Sequence, residues 1–240
     1  MKKQLAFTLL LLLAAIGPAR AQYIAWDGEF MTGFSAGAVV PFSKPFPTLD
    51  ASDNVKAGSL NRSVSPVFGI YYGMERELKG RLDFGFAFEG TFSREKASVT
   101  YIDTTSLTAL SQKSNVVEIS EEIFLAYYLT EKLPVTAGIG LAESLVFGRS
   151  HKKDILDLDG NTISEGNYSM EQGFGIGAAI SLQASVGVSY YFTNTFFIGL
   201  RLKMRYPFLD FFSSGKDGPD AYLTKMPVTL TPIATIGFRW

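Results

Sequence analysis

Between Phe174 and Phe192 every second residue is apolar: Phe174, Ile176, Ala178, Ile180, Leu182, Ala184, Val186, Val188, Tyr190 and Phe192. The residues between them are glycine, alanine, serine, Gln183 and Tyr191. The next stretch repeats the pattern, with Phe196, Ile198, Leu200, Leu202, Met204 and Tyr206 alternating with Phe197, Gly199, Arg201, Lys203 and Arg205. A helix with these spacings would mix arginines and leucines on one face, so a period of two, and hence β-strand, is the only consistent reading. A strand whose outward side is apolar and whose inward side is small or charged is what a membrane-spanning barrel needs.

The N-terminus places such a barrel in an exported protein. Lys2 and Lys3 precede an apolar run from Leu5 to Ile16, followed by Gly17, Pro18 and the small-residue pattern Ala19-Arg20-Ala21. This reads as a signal peptide, residues 1–21, cleaved before Gln22. Twelve residues fall short of the roughly 20 that a spanning helix requires. With no cysteine in the chain there is no lipid attachment, disulfide or thiolate metal site. Removing Lys2, Lys3 and Arg20 takes the basic residues from 22 to 19 against 23 acidic ones, about −4, which excludes a nucleic-acid footprint. No later segment is apolar for long enough to span as a helix, and lipid leaves unpaired backbone groups unsatisfied, so the spanning structure must be a closed barrel.

Six further segments follow the same rule with more noise. They run from Glu29 to Val40, Val67 to Glu75, Leu82 to Phe92, Val117 to Leu129, Val135 to Phe147 and Val228 to Trp240. Eight strands result, an even number that returns both termini to one side. The connections alternate in length. Short ones are Arg76 to Lys79, Thr130 to Pro134 and Thr193-Asn194, and long ones are Pro41 to Pro66, Ser93 to Asn115, Arg149 to Gln172 and Pro207 to Met226. Short periplasmic turns and long extracellular loops are the pattern of bacterial outer-membrane barrels. The third long loop carries Asp159-Gly160-Asn161, a hairpin signal with a two-residue turn. The fold class is therefore all-β, an eight-stranded antiparallel up-and-down transmembrane β-barrel over residues 22–240.

Over this mature length the chain resembles the small eight-stranded outer-membrane barrels of the OmpA/OmpX-like and porin-like superfamily. The ending Ile236-Gly237-Phe238-Arg239-Trp240 is similar to the terminal signal read by barrel-assembly machinery, with Ile236, Phe238 and Trp240 as its apolar positions. The resemblance implies outer-membrane lipid and that machinery as partners, and names no ligand.

The polar residues that invite a functional reading face the lumen. Arg201, Lys203 and Arg205 point into a space that also receives Asp83, Glu89, Glu118 and Glu122. An eight-stranded barrel is only wide enough for side chains to fill, so a structural ion-pair core is the leading reading. A narrow polar pathway and a catalytic carboxylate pair are the alternatives. Glu121 and Glu143 interrupt the apolar stripe, which is explained by a headgroup-level position, a bulge, or a divalent cation shared with lipid headgroups.

Asp154, Asp157, Asp159, Asn161 and Glu165 resemble a fragment of a calcium loop, but Gly160 falls at the fourth place and not the sixth, which favours a solvated hairpin tip. The sole histidine, His151, has no hydrolase motif around it. The Gly173-Phe174-Gly175-Ile176-Gly177 run lacks the strand-turn-helix context of a dinucleotide loop. Apolar residues in the first loop (Pro41, Phe42, Pro45, Phe46, Pro47) and the fourth (Phe208, Phe211, Phe212) finish the girdle or meet partners. The functional expectation is a non-enzymatic outer-membrane barrel without metal or cofactor, with loops for a surface or envelope protein. A small-solute pore is the alternative, and a membrane-embedded hydrolase the less favoured one.

Overall fold

The computed structural model describes residues 28–42, 55–103, 106–157, 161–167, 177–211 and 226–240. Residues 1–21, expected to be a signal peptide, lie outside them. The described residues form ten strands: β1 (Glu29–Phe42), β2 (Val55–Arg62), β3 (Ser65–Lys79), β4 (Leu82–Asp103), β5 (Ser106–Thr130), β6 (Leu133–Leu156), β7 (Thr162–Asn167), β8 (Gly177–Tyr191), β9 (Phe196–Asp210) and β10 (Val228–Arg239). Eight close a ring in the order β1, β3, β4, β5, β6, β8, β9, β10, each antiparallel to its neighbours. The seam is tight: Trp240 N donates to Phe30 O at 3.0 Å and Phe30 N to Trp240 O at 2.9 Å. No edge of the ring is left for lipid to meet.

The outer wall is apolar but for Glu121 and Glu143. Phe34 on β1 is 76% exposed, Ile70 on β3 61%, Ile139 on β6 63%, Val186 on β8 56%, Leu200 on β9 58% and Ile236 on β10 52%. An apolar wall of this extent is stable only against lipid. On β4 the outward residues from Leu82 to Phe92 mark its height. Ten residue-to-residue steps of ~3.4 Å, tilted by about 40°, give about 26 Å along the barrel axis, close to the ~25 Å band of such barrels.

The eight ring strands fall where alternation predicts them; β1, β3, β4, β5, β6 and β9 run on further, β10 stops at Arg239 and β8 at Tyr191, and residues 174–176 lie outside the described residues. The first short turn lies at Gly80-Arg81 and not at residues 76–79, because β3 runs on to Lys79. The predicted second long loop is no loop but a continuation of β4 and β5, paired without interruption from Leu82↔Tyr127 to Asp103↔Ser106. The first loop contains β2, which pairs the far end of β4, and the third contains β7, which pairs the far end of β6. A five-stranded sheet, β2-β4-β5-β6-β7, therefore rises from one side of the ring.

The third loop is a hairpin as expected, but pairing closes at Leu156↔Thr162, so five residues and not two connect the strands. Parity is adjusted lower down. Asn115 faces Phe147 and Lys113 faces Ser150, so β6 carries one extra residue there, with Gly148 at φ 61°. Glycine tolerates this left-handed conformation without a Cβ clash, and the bulge turns β6 where it leaves the apolar band.

Candidate functional site

Alternation sends inward the residues that meet in the lumen, and ring order decides which of them face each other. Strands β4 and β9 stand four places apart in the ring of eight and are diametrically opposed. Lys203 on β9 nevertheless reaches Glu89 on β4, forming a buried ion pair across the whole lumen. Arg201 approaches the same carboxylate at 3.6 Å and lies 4.3 Å from the Tyr71 ring centroid on β3. Lys203 also donates to Ser120 Oγ at 3.2 Å.

A second chain of contacts runs beside the first. Arg205 pairs with Glu118 at 2.5 Å, and Ser144 donates to Glu118 at 3.2 Å. Arg205 Nε donates to Gln183 Oε1 at 3.2 Å, and Gln183 Nε2 donates to Glu122 at 2.8 Å. Ser185 supplies Glu122 with another hydrogen bond of 2.7 Å. Three carboxylates thus face three cations at one level. Gly138 leaves room for this layer, since a Cβ there would collide with the Glu122 carboxylate.

A second layer, nearer the termini, was not anticipated. Tyr128 donates to Glu75 Oε1 at 2.6 Å, and Arg239 reaches Glu75 at 3.4 Å, Glu29 at 2.8 Å and the Tyr128 hydroxyl at 3.2 Å. Its guanidinium also stacks 4.2 Å from the Tyr191 ring centroid. β5 and β10 are again diametrically opposed, so the Arg239–Tyr128 contact also crosses the lumen. Between the two layers lies a cavity of about 30 Å³, lined by Met31, Tyr71, Tyr191, Phe197 and Arg201 among others, with room for about one water molecule.

Among the seven residues expected in the lumen cluster, the structure brings together Glu89, Glu118, Glu122, Arg201, Lys203 and Arg205. Asp83 stands apart: it is half-buried near the terminal mouth, opposite Glu77, with no ion pair among the described residues. Its place near the end of β4, six residues below Glu89, explains the separation. Ile236, Phe238 and Trp240 face outward, 52%, 53% and 63% exposed.

Glu121 and Glu143 both lie on the outer wall of adjacent strands, Glu121 opposite Leu141 and Glu143 opposite Ile119. Glu121 is also level with Phe88, in the middle of the apolar band. The headgroup-level position and the headgroup-bridging cation are therefore both corrected for Glu121. No bulge turns either residue inward.

The remaining acidic candidates are occupied locally. Asp154 and Glu165 pair with Lys152 at 3.1 and 3.3 Å, and Asp157 accepts from Asn161 N at 2.7 Å and Nδ2 at 2.9 Å. Both carboxylates hold the Lys152 ammonium above its ordinary value. His151 Nε2 contacts Gln112 Oε1 at 3.1 Å across the β5–β6 hairpin. Asp159, Gly160, Pro45, Phe46, Pro47, Phe212 and the glycine run before Gly177 lie outside the described residues. Groups of three or more metal-ligating side chains are absent among the described residues.

Closed ring, lipid-height apolar wall and charged interior together define a small eight-stranded β-barrel of the outer-membrane type. Solved barrels of similar outline include the attachment invasion locus protein Ail of Yersinia pestis, in complex with the heparin analogue sucrose octasulfate, at 12% identity. That alignment covers 89% of this chain and 99% of Ail, with a TM-score of 0.39. The outer membrane protein OprG of Pseudomonas aeruginosa is 12% identical over 89% of this chain and 96% of its own, with a TM-score of 0.43. The N-terminal β-barrel domain of Pseudomonas aeruginosa OprF is 12% identical over 89% and 100%, with a TM-score of 0.35. No protein-family model and no curated protein matches the sequence. The class assignment rests on the ring and its wall.

Proposed function

We propose that this chain is a non-enzymatic barrel of the bacterial outer membrane, closed to solutes, whose wall carries a folded sheet outward for contact with a surface or envelope partner. The closed lumen rests on one observation: the Glu89–Lys203 ion pair joins opposite strands through the barrel axis. With Arg201, Arg205, Glu118 and Glu122 beside it, the interior has the charge balance of a packed core. The Glu75–Tyr128–Arg239 layer forms a second plug at the terminal mouth. In this reading the termini and short turns are periplasmic, the β2-β4-β5-β6-β7 sheet is extracellular, and Ile236, Phe238 and Trp240 present the last strand to the assembly machinery.

Conductance of the refolded chain in a planar bilayer tests the closed lumen. No stable channels are expected. Salt-dependent channels that change when Glu89 or Lys203 is neutralised would overturn the proposal in favour of a small-solute pore. Cleavage of the 97–111 hairpin by protease added outside intact cells tests the orientation.

A further inference from the structure

Where β4 and β5 leave the apolar band, the outer wall changes charge abruptly. Phe92 pairs with Val117, Arg94 with Asn115, and Lys96 with Lys113. Arg94, Lys96 and Lys113 are all exposed on the outer face, and none has an ion pair among the described residues. At the strand rise and tilt used above, Arg94 and Lys96 stand about 5 and 10 Å beyond Phe92 along the axis. That is the depth of lipid headgroups.

The arrangement is unfavourable by itself. Like charges directly opposite each other on neighbouring strands repel, and Lys96 and Lys113 are such a pair. The outward residues around them are Asn115, Ser98, Ser111 and Ser150, which supply no counter-charge. Among the described residues the nearby acids are otherwise engaged: Asp154 and Glu165 bind Lys152 further up, and Glu95 points inward with Arg62. An anion between the lysines would relieve the repulsion. Directly below lies the apolar surface of Phe68, Phe92 and Val117, of which Phe68 is 60% and Phe92 45% exposed.

We propose that Arg94, Lys96 and Lys113 bind a phosphate group of an outer-leaflet lipid. The Arg94 fork and the two ammonium groups grip the phosphate, and the acyl chains cover Phe68, Phe92 and Val117. A free phosphate ion would use only the cationic half of this surface. The site rests on the proposed orientation, with the long hairpins outward, which the external-protease experiment checks separately. Ion conduction through the lumen would overturn the closed-barrel reading and leave this site untouched.

The test is native mass spectrometry of the full chain refolded into phosphatidylcholine vesicles containing a lipid A-type phosphorylated glycolipid, then released into detergent. The unmodified chain should retain the phosphorylated lipid. Combined Arg94→Gln, Lys96→Gln and Lys113→Gln should lower retention on the order of tenfold or more. Lys152→Gln, which removes a cation from the same sheet outside the site, should leave retention unchanged.

Should the triple variant fail to assemble, Lys96→Gln alone serves. It removes one member of a repelling pair, so it should fold at least as well as the parent and still retain less lipid. Equal retention by the assembled triple or single variant would overturn the proposal, as would equal loss in Lys152→Gln. Displacement of the lipid by inorganic phosphate at comparable concentration would refute lipid as the ligand.

Discussion

Strands β4 and β5 pass through two environments without a break in pairing, and their two halves have opposite polarity. Below the Phe92–Val117 pair the outward residues are apolar apart from Gly90 and Glu121, and the inward ones include Glu89, Glu118, Ser120 and Glu122. Above it the outward residues include Arg94, Lys96, Lys113 and Ser111, and the inward ones combine Glu95, Gln112 and Ser114 with an apolar cluster of Ala97, Val99 and Leu110, buried against Leu60 of β2. Parity stays fixed while the solvent changes sides. The lower half is a barrel in lipid with a polar core, and the upper half is a sheet in water whose inner face carries an apolar cluster beside polar residues. Their stabilities consequently rest on different interactions, electrostatic pairing below and burial above.

The largest effect should follow from breaking the lower core. Lys203→Met leaves the buried Glu89 with Arg201, at 3.6 Å, as its remaining cation, and removing one partner of a buried pair costs about 3–5 kcal/mol. Urea unfolding of the refolded barrel in detergent, followed by tryptophan fluorescence, reads that loss directly. A cost below about 1 kcal/mol would mean that the ion pair does not hold the lower half together.

In the upper half, Leu110→Ala removes a side chain that is 3% exposed. The expected cost is about 2 kcal/mol, at the low end for leucine truncation because the cluster is small. The loss should be local: amide exchange of residues 97–111 accelerates while the urea midpoint of the barrel stays put. A shift of both together would show that the two halves unfold as one unit and would erase the distinction.

Tyr128→Phe probes the lower half at its terminal mouth. The hydroxyl donates to Glu75 at 2.6 Å, and Glu75 keeps Arg239 at 3.4 Å when it is lost. A hydrogen bond to a charged group with a surviving partner is worth about 1.5 kcal/mol. The same urea experiment measures it. Tyr128→Phe combined with Lys203→Met should add, since the two layers are separated by the central cavity.

The same contrast explains what was readable in the sequence. Arg201, Lys203 and Arg205 stand out because each sits between outward apolar residues, so parity alone sends them inward. Glu75 and Arg239 obey the same parity but were masked, one by its place at a predicted strand end and the other by its place inside the terminal signal. Tyr128, an aromatic inside a polar lumen, carries no polarity signal at all.

The upper sheet was read as loop because its outward face is polar and its inward face is built from small or isolated apolar residues such as Ala97 and Val99. A search for apolar-out alternation misses a strand whose solvent has changed sides. β2, with the sequence Val55-Lys56-Ala57-Gly58-Ser59-Leu60-Asn61-Arg62, has too few apolar residues to declare itself in either sense. The Gly148 bulge was also invisible, because parity on each side of it looks regular.

The smallest expected effect concerns the edge of the upper sheet, where charge and not burial joins β7 to β6. Lys152 is exposed and binds Asp154 and Glu165, which raise its folded value above the ordinary 10.5. A group with a raised folded value stabilises the fold while both states are protonated, fully below about 10.5, and loses that contribution as pH rises through the folded value. Amide exchange at Ser164 to Asn167, corrected for the intrinsic pH dependence of exchange, should therefore be unchanged between pH 7 and 9 and accelerate at higher pH. The Lys152→Gln variant should lack this step. Because the pair is exposed, added salt should weaken it in the parent, whereas the buried Glu89–Lys203 pair below should scarcely respond. If salt destabilised both alike, water would have to reach Lys203, and the lower half would be an aqueous pore and no longer a packed core.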